Sequence, residues 1–287
     1  MIDQASRLRE LVAGEDRREV EALSPSSRIR STTTRVIAVT SGKGGVGKTT
    51  VAVNLALVLA ESGKSVLLVD ADLGLANVDV MLGLESPRHI GHLLLPDTEP
   101  EDVVMAGPSG ISIISGGSGL KELADATDSD RRLLLRKLED YYGRHDYVVI
   151  DTSPGIGSDV IDFLKQADEV LLLTTPEPTS LRDTYAAIKT IMRRVPDVGV
   201  HIVVNIASSE TQAAEAVSVL NEVASKFLGR HYDEWHRIAH DAMASRAISA
   251  GRPLVMMYPR SPASVTLRVL AKGIVLNCES KCNRSGS

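Results

Sequence analysis

At 287 residues the chain is long enough for one large α/β domain, which buries roughly three quarters of the surface its unfolded chain exposes. Charged residues at 24% and a formal net charge of −5 exclude a basic nucleic-acid footprint, and aromatics at 3% leave Val, Ile, Leu and Ala to build the core. The only cysteines, Cys278 and Cys282, exclude a disulfide framework, and no run reaches the roughly 18 apolar residues of a membrane-spanning helix. With an N-terminal MIDQASRLRELV that is charged throughout and has no apolar signal core, these features predict a cytosolic protein.

Residues 1–22 have helix-forming composition, with Leu8, Leu11 and Val12 spaced to share one face. Residues 23–34 are rich in Ser and Thr with one proline and read as a linker. From residue 35 to 277 strands and helices alternate. Apolar runs predict strands at Val36–Thr40, Ser65–Asp70, Ile111–Ile114, Tyr147–Asp151, Val170–Thr175 and Val200–Asn205. Helical patterns fall at Thr49–Ser62, Arg131–Tyr142, Asp159–Gln166, Ser180–Val195, Thr211–Phe227 and Ser264–Leu276. Gly229–Pro259 is expected to hold one more strand and one more helix, and residues 278–287 to form a flexible tail. The alternation predicts a three-layer α/β/α domain with a mostly parallel, doubly wound sheet.

Gly42-Lys43-Gly44-Gly45-Val46-Gly47-Lys48-Thr49 fits G-x-x-x-x-G-K-[ST], between an apolar strand (VIAVT) and an apolar helix (TTVAVNLALVLA). Such a loop curls its backbone N–H groups around a β-phosphate at a helix N-terminus. Lys48 brings charge to the β- and γ-phosphates, and the Thr49 hydroxyl can hold Mg²⁺. The segment from Gly42 to Thr50 is therefore expected to bind ATP or ADP with Mg²⁺.

Lys43 is not required by the general loop. The string KGGVGKTT resembles the deviant Walker A motif of the MinD/ParA superfamily, and that resemblance implies that Lys43 reaches the phosphates of a partner subunit in an ATP-dependent homodimer. The string DADLGLANVDVMLG, which continues from the strand SVLLVD, is similar to the first switch of MinD-like ATPases. It implies Asp72 as the carboxylate that positions water and Asp70 as support for the phosphate and metal region, with Asn77 and Asp79 facing a partner. Asp151 closes the strand YVVID ahead of TSPGIG, which is the Walker B arrangement for a magnesium carboxylate. Gly155 and Gly157 give that second loop room to rearrange. The catalytic set implied is Lys43, Lys48 and Asp72, and the metal set is Thr49, Asp151 and Asp70. Asn205 matches the asparagine that hydrogen-bonds adenine in the family, and Asp241 with Arg246–Pro253 resembles its second base-contacting loop.

The leader Asp3-Gln4-Ala5-Ser6-Arg7-Leu8-Arg9 resembles the D-Q-A-x-x-L-R signature of the FlhG (YlxH/FleN) family of MinD-like regulators of flagellar number and placement. The resemblance implies that Asp3, Gln4, Ala5, Leu8 and Arg9 dock on the SRP-type GTPase FlhF and stimulate GTP hydrolysis. It also implies contacts with flagellar basal-body or regulator proteins. The last helix offers Ala263, Leu267, Leu270 and Ile274 as one core-packing stripe, so direct lipid binding is weakly supported and recruitment through FlhF is expected. Two other families share the loop. Iron–sulfur carriers of the Mrp type place a C-x-x-C inside the domain, whereas here the spacing is C-x3-C near the chain end. ParA partition ATPases use basic DNA-binding surfaces, to which neither the charge balance nor the leader points.

Overall fold

The computed structural model describes residues 34–72, 77–117 and 127–285, with side chains as far as Leu276. The expected N-terminal helix with its docking residues, and nearly all of the expected linker, lie outside the described residues.

Eight strands form one sheet: β1 (Arg35–Ser41), β2 (Val66–Ala71), β3 (Val104–Ala106), β4 (Ser112–Ile114), β5 (Tyr147–Thr152), β6 (Glu169–Thr174), β7 (Gly199–Ala207) and β8 (Trp235–Ala239). Their order is β3-β4-β2-β5-β1-β6-β7-β8. Every pairing is parallel except that of β3 with β4. The helices are α1 (Lys48–Glu61), α2 (Asn77–Leu82), α3 (Pro100–Val103), α4 (Asp128–Tyr142), α5 (Ser158–Leu164), α6 (Pro178–Arg194), α7 (Glu210–Leu228), α8 (Ala242–Ser249), α9 (Leu254–Met257) and α10 (Pro262–Ser285).

Strand periodicity divides the core into two layers. Val36 and Ala38 of β1 pack with Val148 and Ile150 of β5 beneath α4, α5, α6 and α7, which contribute Leu138, Phe163, Ile188 and Val217. Ile37 and Val39 point the other way, into the layer closed by Leu55 and Leu59 of α1 and by Leu267 and Leu270 of α10. Because both faces are covered, strand runs such as Val148-Val149-Ile150 are buried without alternation. Helix α1 is buried on nearly all sides from Val51 to Leu59, so it is the central helix of its layer.

The expected three-layer, mostly parallel architecture is what the structure shows. The differences have local causes. Strand β3 is a three-residue antiparallel edge, too short for a periodic signal, and α2 forms within the string expected to be the first switch. Gly229–Pro259 holds β8 and α8, and in addition the single turn α9. Helix α10 runs beyond the expected Leu276, to Ser285. Its Ala263, Leu267, Leu270 and Ile274 are buried as expected, while Val265 and Val269 face outward.

The order of the strands reverses at β1, which lies between β5 and β6, and a doubly wound sheet opens its ligand crevice at the carboxyl end of such a strand. Leu270 of α10, 1% exposed, ties the last helix to the layer behind that crevice. Leu270→Ala should cost about 2–5 kcal/mol of unfolding free energy, read as a lower denaturant midpoint with an unchanged slope.

Candidate nucleotide site

β1 ends at Ser41, and the chain passes at once beneath α6. A Cβ at Gly42 would overlap the carbonyl of Asp183, so only glycine lets the loop pass the helix backbone. Gly45 and Gly47 adopt φ of 78° and 91°, the left-handed conformation that curls the loop back onto α1. Helix α1 then opens with no side-chain cap and no acidic residue in its first turn. Its first N–H groups and the positive end of its dipole are left for an anion.

The parallel register of β2 and β5 brings the carboxylates together. Asp70 pairs with Asp151 and Ala71 with Thr152, so the next positions, Asp72 and Ser153, also meet. Ser153 donates its hydroxyl to Asp72 Oδ1 at 3.1 Å, linking the two switch segments. A cleft of about 440 Å³ is lined by Gly44, Gly45, Gly47, Lys48, Thr49, Thr50 and Asp72, with Asn77, Val80, Met81, Pro154 and Ile248 on its other walls. A larger apolar groove of about 560 Å³ lies between α6 and α7, but it gathers no comparable set of glycine loop, lysine and carboxylates. The smaller cleft is the chemical site.

The charged groups differ in how they are held. Burial draws the Lys48 ammonium below its ordinary range, while Asp151 and then Asp72 favour its charged form. Asp151 is fully buried, and no hydrogen bond of ordinary geometry closes on either of its oxygens. Burial pushes its pKa up to about 7, against the opposing pull of the nearby Thr49 hydroxyl and Lys48. Asp70 is used differently: it accepts the Asp72 N–H at 3.0 Å and the Val78 N–H at 3.2 Å. Both its oxygens therefore shape the first switch, and Asp151 is the carboxylate left open beside Thr49. Burial and then the Asp151 charge raise Asp70 to about 8.

Lys43 lies outside this cluster. Its ammonium pairs with Glu177 Oε2 at 2.9 Å and touches Thr179 Oγ1 at 3.3 Å, where α6 begins. Asn205 donates to the Val46 carbonyl, so it is packed against the loop itself. Asp241 caps α8 through the Met243 N–H at 2.9 Å and holds the Ala263 N–H at 3.0 Å, so its oxygens organise the chain on that side. Asn77 lines the cleft, but Asp79 turns inward to the Ser115 hydroxyl at 2.6 Å. Sequence reasoning did not single out Ser153 or Glu177, whereas Ile248 falls within Arg246–Pro253, the stretch expected near the base. Ser153 could have been found by counting one position beyond the paired strand ends.

Strand, glycine loop, buried lysine and a free strand-end carboxylate beside a threonine define a P-loop nucleotide site. Residues 32–275 match the ParA family described as NUBPL iron-transfer P-loop NTPase. The antiactivator FleN of Pseudomonas aeruginosa is 38% identical over 84% of this chain and 86% of its own length. The flagellum site-determining protein YlxH of Helicobacter pylori is 38% identical over 54% of this chain and 53% of its own. The septum site-determining protein MinD of Pyrococcus horikoshii, solved with Mg-ADP, superposes with a TM-score of 0.72 at 25% identity, over 84% of this chain and 96% of that one. The chain belongs to the MinD/ParA family of P-loop NTPases, in its FleN/YlxH group.

With Asp70 and Asp151 both raised, the folded chain keeps protons that an unfolded carboxylate, near 3.8, has already lost. Their stabilising contribution is full below that value and is lost as pH climbs through about 7 and about 8. Melting of the nucleotide-free chain should therefore fall between about pH 5 and about pH 8, and less steeply in Asp70→Asn, as calorimetry across that range would show.

Proposed function

We propose that this chain is an ATP-hydrolysing switch that sets flagellar number and placement. The grouping of Lys48, Thr49, Asp72 and Asp151 around one glycine loop supports the hydrolysis, and the 38% identity to FleN supports the flagellar role. The buried Asp151 carboxylate beside the Thr49 hydroxyl suits Mg²⁺, which takes few protein oxygens and keeps water in its remaining positions. Thr49 and Asp151 would hold Mg²⁺, which would supply positive charge to the phosphate oxygens of a bound nucleotide. Lys48 adds its charge to the same oxygens, while loop N–H groups fix the β-phosphate. Asp72, steadied by Ser153, orients the water that attacks the γ-phosphorus to give ADP and phosphate.

Lys43 acts in a second copy of the chain. Its pairing at the rim of α6, away from its own cleft, supports a role across an ATP-dependent homodimer. Asn205 keeps one amide hydrogen and one lone pair for adenine, and Asp241 holds the neighbouring loop. The leader acts on FlhF: Gln4 orders water in that GTPase while Leu8 and Arg9 dock. The chain works in the cytoplasm and reaches the inner face of the membrane through FlhF; among the described residues no helix is long and apolar enough to cross a membrane. A second reading rests on the iron-transfer description of the matched family, with Cys278 and Cys282 completing a cluster across a dimer. Anaerobic reconstitution followed by an iron assay separates it, since the switch reading expects no bound iron.

Asp72→Ala should bind ATP normally but hydrolyse it at least about 100-fold more slowly, and Lys48→Ala should lose both in a phosphate-release assay. An unchanged rate in Asp72→Ala would remove the water-positioning role.

ATP should convert Asp72→Ala from monomer to dimer in light scattering, whereas Lys43→Ala should remain monomeric and still bind ADP. One mass in the apo, ADP and ATP states would sink the dimer reading. A peptide of residues 1–22 should stimulate GTP hydrolysis by FlhF, and Gln4→Ala should abolish that stimulation with little loss of binding. Equal stimulation by both peptides would leave docking intact and remove the role of Gln4.

A further inference from the structure

Strand β7 carries one residue more than its neighbour. Val204 pairs with Arg237 and Ala207 with Ala239, so three steps along β7 match two along β8. The side chains show the same slip: Val203 points into the α1 layer and Val204 into the opposite one, yet Ala207 returns to the layer of Val204. The added residue is Ile206, at φ 60° and 43% exposed. A β-branched residue rarely enters the left-handed region, and such strain gathers where a backbone must deliver something specific.

What it delivers is Asn205. With the chain turned at Ile206, the Asn205 Oδ1 accepts the N–H of Ile206 at 2.9 Å. That bond fixes the carboxamide plane and aims Nδ2 at the Val46 carbonyl, 2.8 Å away in the middle of the phosphate loop. The contact is close on its other side too, since a Cβ on Gly47 would stand 2.5 Å from the same nitrogen. Asn205 is 7% exposed, so water competes little for this bond.

We propose that Asn205 is a positioning residue for the phosphate loop, held by the Ile206 bulge so that its amide fixes Val46 and Gly47 in their phosphate-binding shape whatever base the nucleotide carries. The idea rests on the glycine loop being the phosphate site. It differs from adenine reading in a measurable way: a base contact acts only on ligands that have a base, whereas a loop brace acts on the phosphates alone.

The test uses the full chain with Mg²⁺-tripolyphosphate and Mg²⁺-ATP as separate ligands in titration calorimetry. Asn205→Ala should weaken tripolyphosphate by a factor of about three to ten, the effect of one buried hydrogen bond, and ATP by at least as much. If ATP binding weakened while tripolyphosphate bound as in the wild type, Asn205 would be a base reader and the brace would fall. Asn205→Asp provides a second arm, because it keeps the acceptor for Ile206 and loses the donor to Val46. In the nucleotide-free protein its amides at 44–48 should exchange hydrogen faster than those of the wild type, and equal rates would overturn the proposal. A wild-type chain that bound neither ligand would bring down the phosphate-site reading, while the exchange arm would still report on the brace by itself.

Discussion

Asp70 and Asp151 face each other across the β2–β5 ladder, and the site is organised around that register. Two parallel strands ending level place their next residues level as well, so Asp72 and Ser153 come within hydrogen-bonding distance without any long-range design. A slip of one residue would turn each strand's alternate side chains to the opposite layer and separate the pair. The sheet therefore does more than support the cleft. It holds two segments that are far apart in sequence side by side.

That arrangement concentrates charge. Three carboxylates and one ammonium share a buried volume, and the chain settles the conflict by giving each a different environment. Asp70 is bonded to backbone amides, Asp72 is held by a hydroxyl, and Asp151 is left open. The latter two both favour the charged form of Lys48. In the proposed nucleotide complex a cation at Asp151 and an anion at the glycine loop would relieve opposite halves of the same imbalance.

Much of this was legible in the sequence because it depends on local rules. Strands buried on both faces appear as unbroken apolar runs, so six of the parallel strands could be placed to within a residue or two. The glycine loop was legible because its flanks change period from strand to helix at the right places. Other features depend on partners distant in the chain. Glu177 meets Lys43 only because α6 begins beside the loop, and Asp79 turns to Ser115 only because β4 lies next to β2. The Ile206 bulge was hidden for a different reason: VVNIA reads as an ordinary strand end, and the extra residue shows only against β8. Asp70, read as metal support, turned out to spend its oxygens on amides that α2 and the switch backbone present.

Helix α1 begins without a capping side chain or a first-turn carboxylate, although it is the most deeply buried helix of its layer. An ordinary cap is worth about 1 kcal/mol, and a bound phosphate would take its place in the proposed nucleotide complex. The folded state is thus linked to nucleotide supply: a ligand at about 100 times its dissociation constant adds about 2.7 kcal/mol to stability. The bare helix terminus thus ties the stability of the fold to occupancy of the glycine loop.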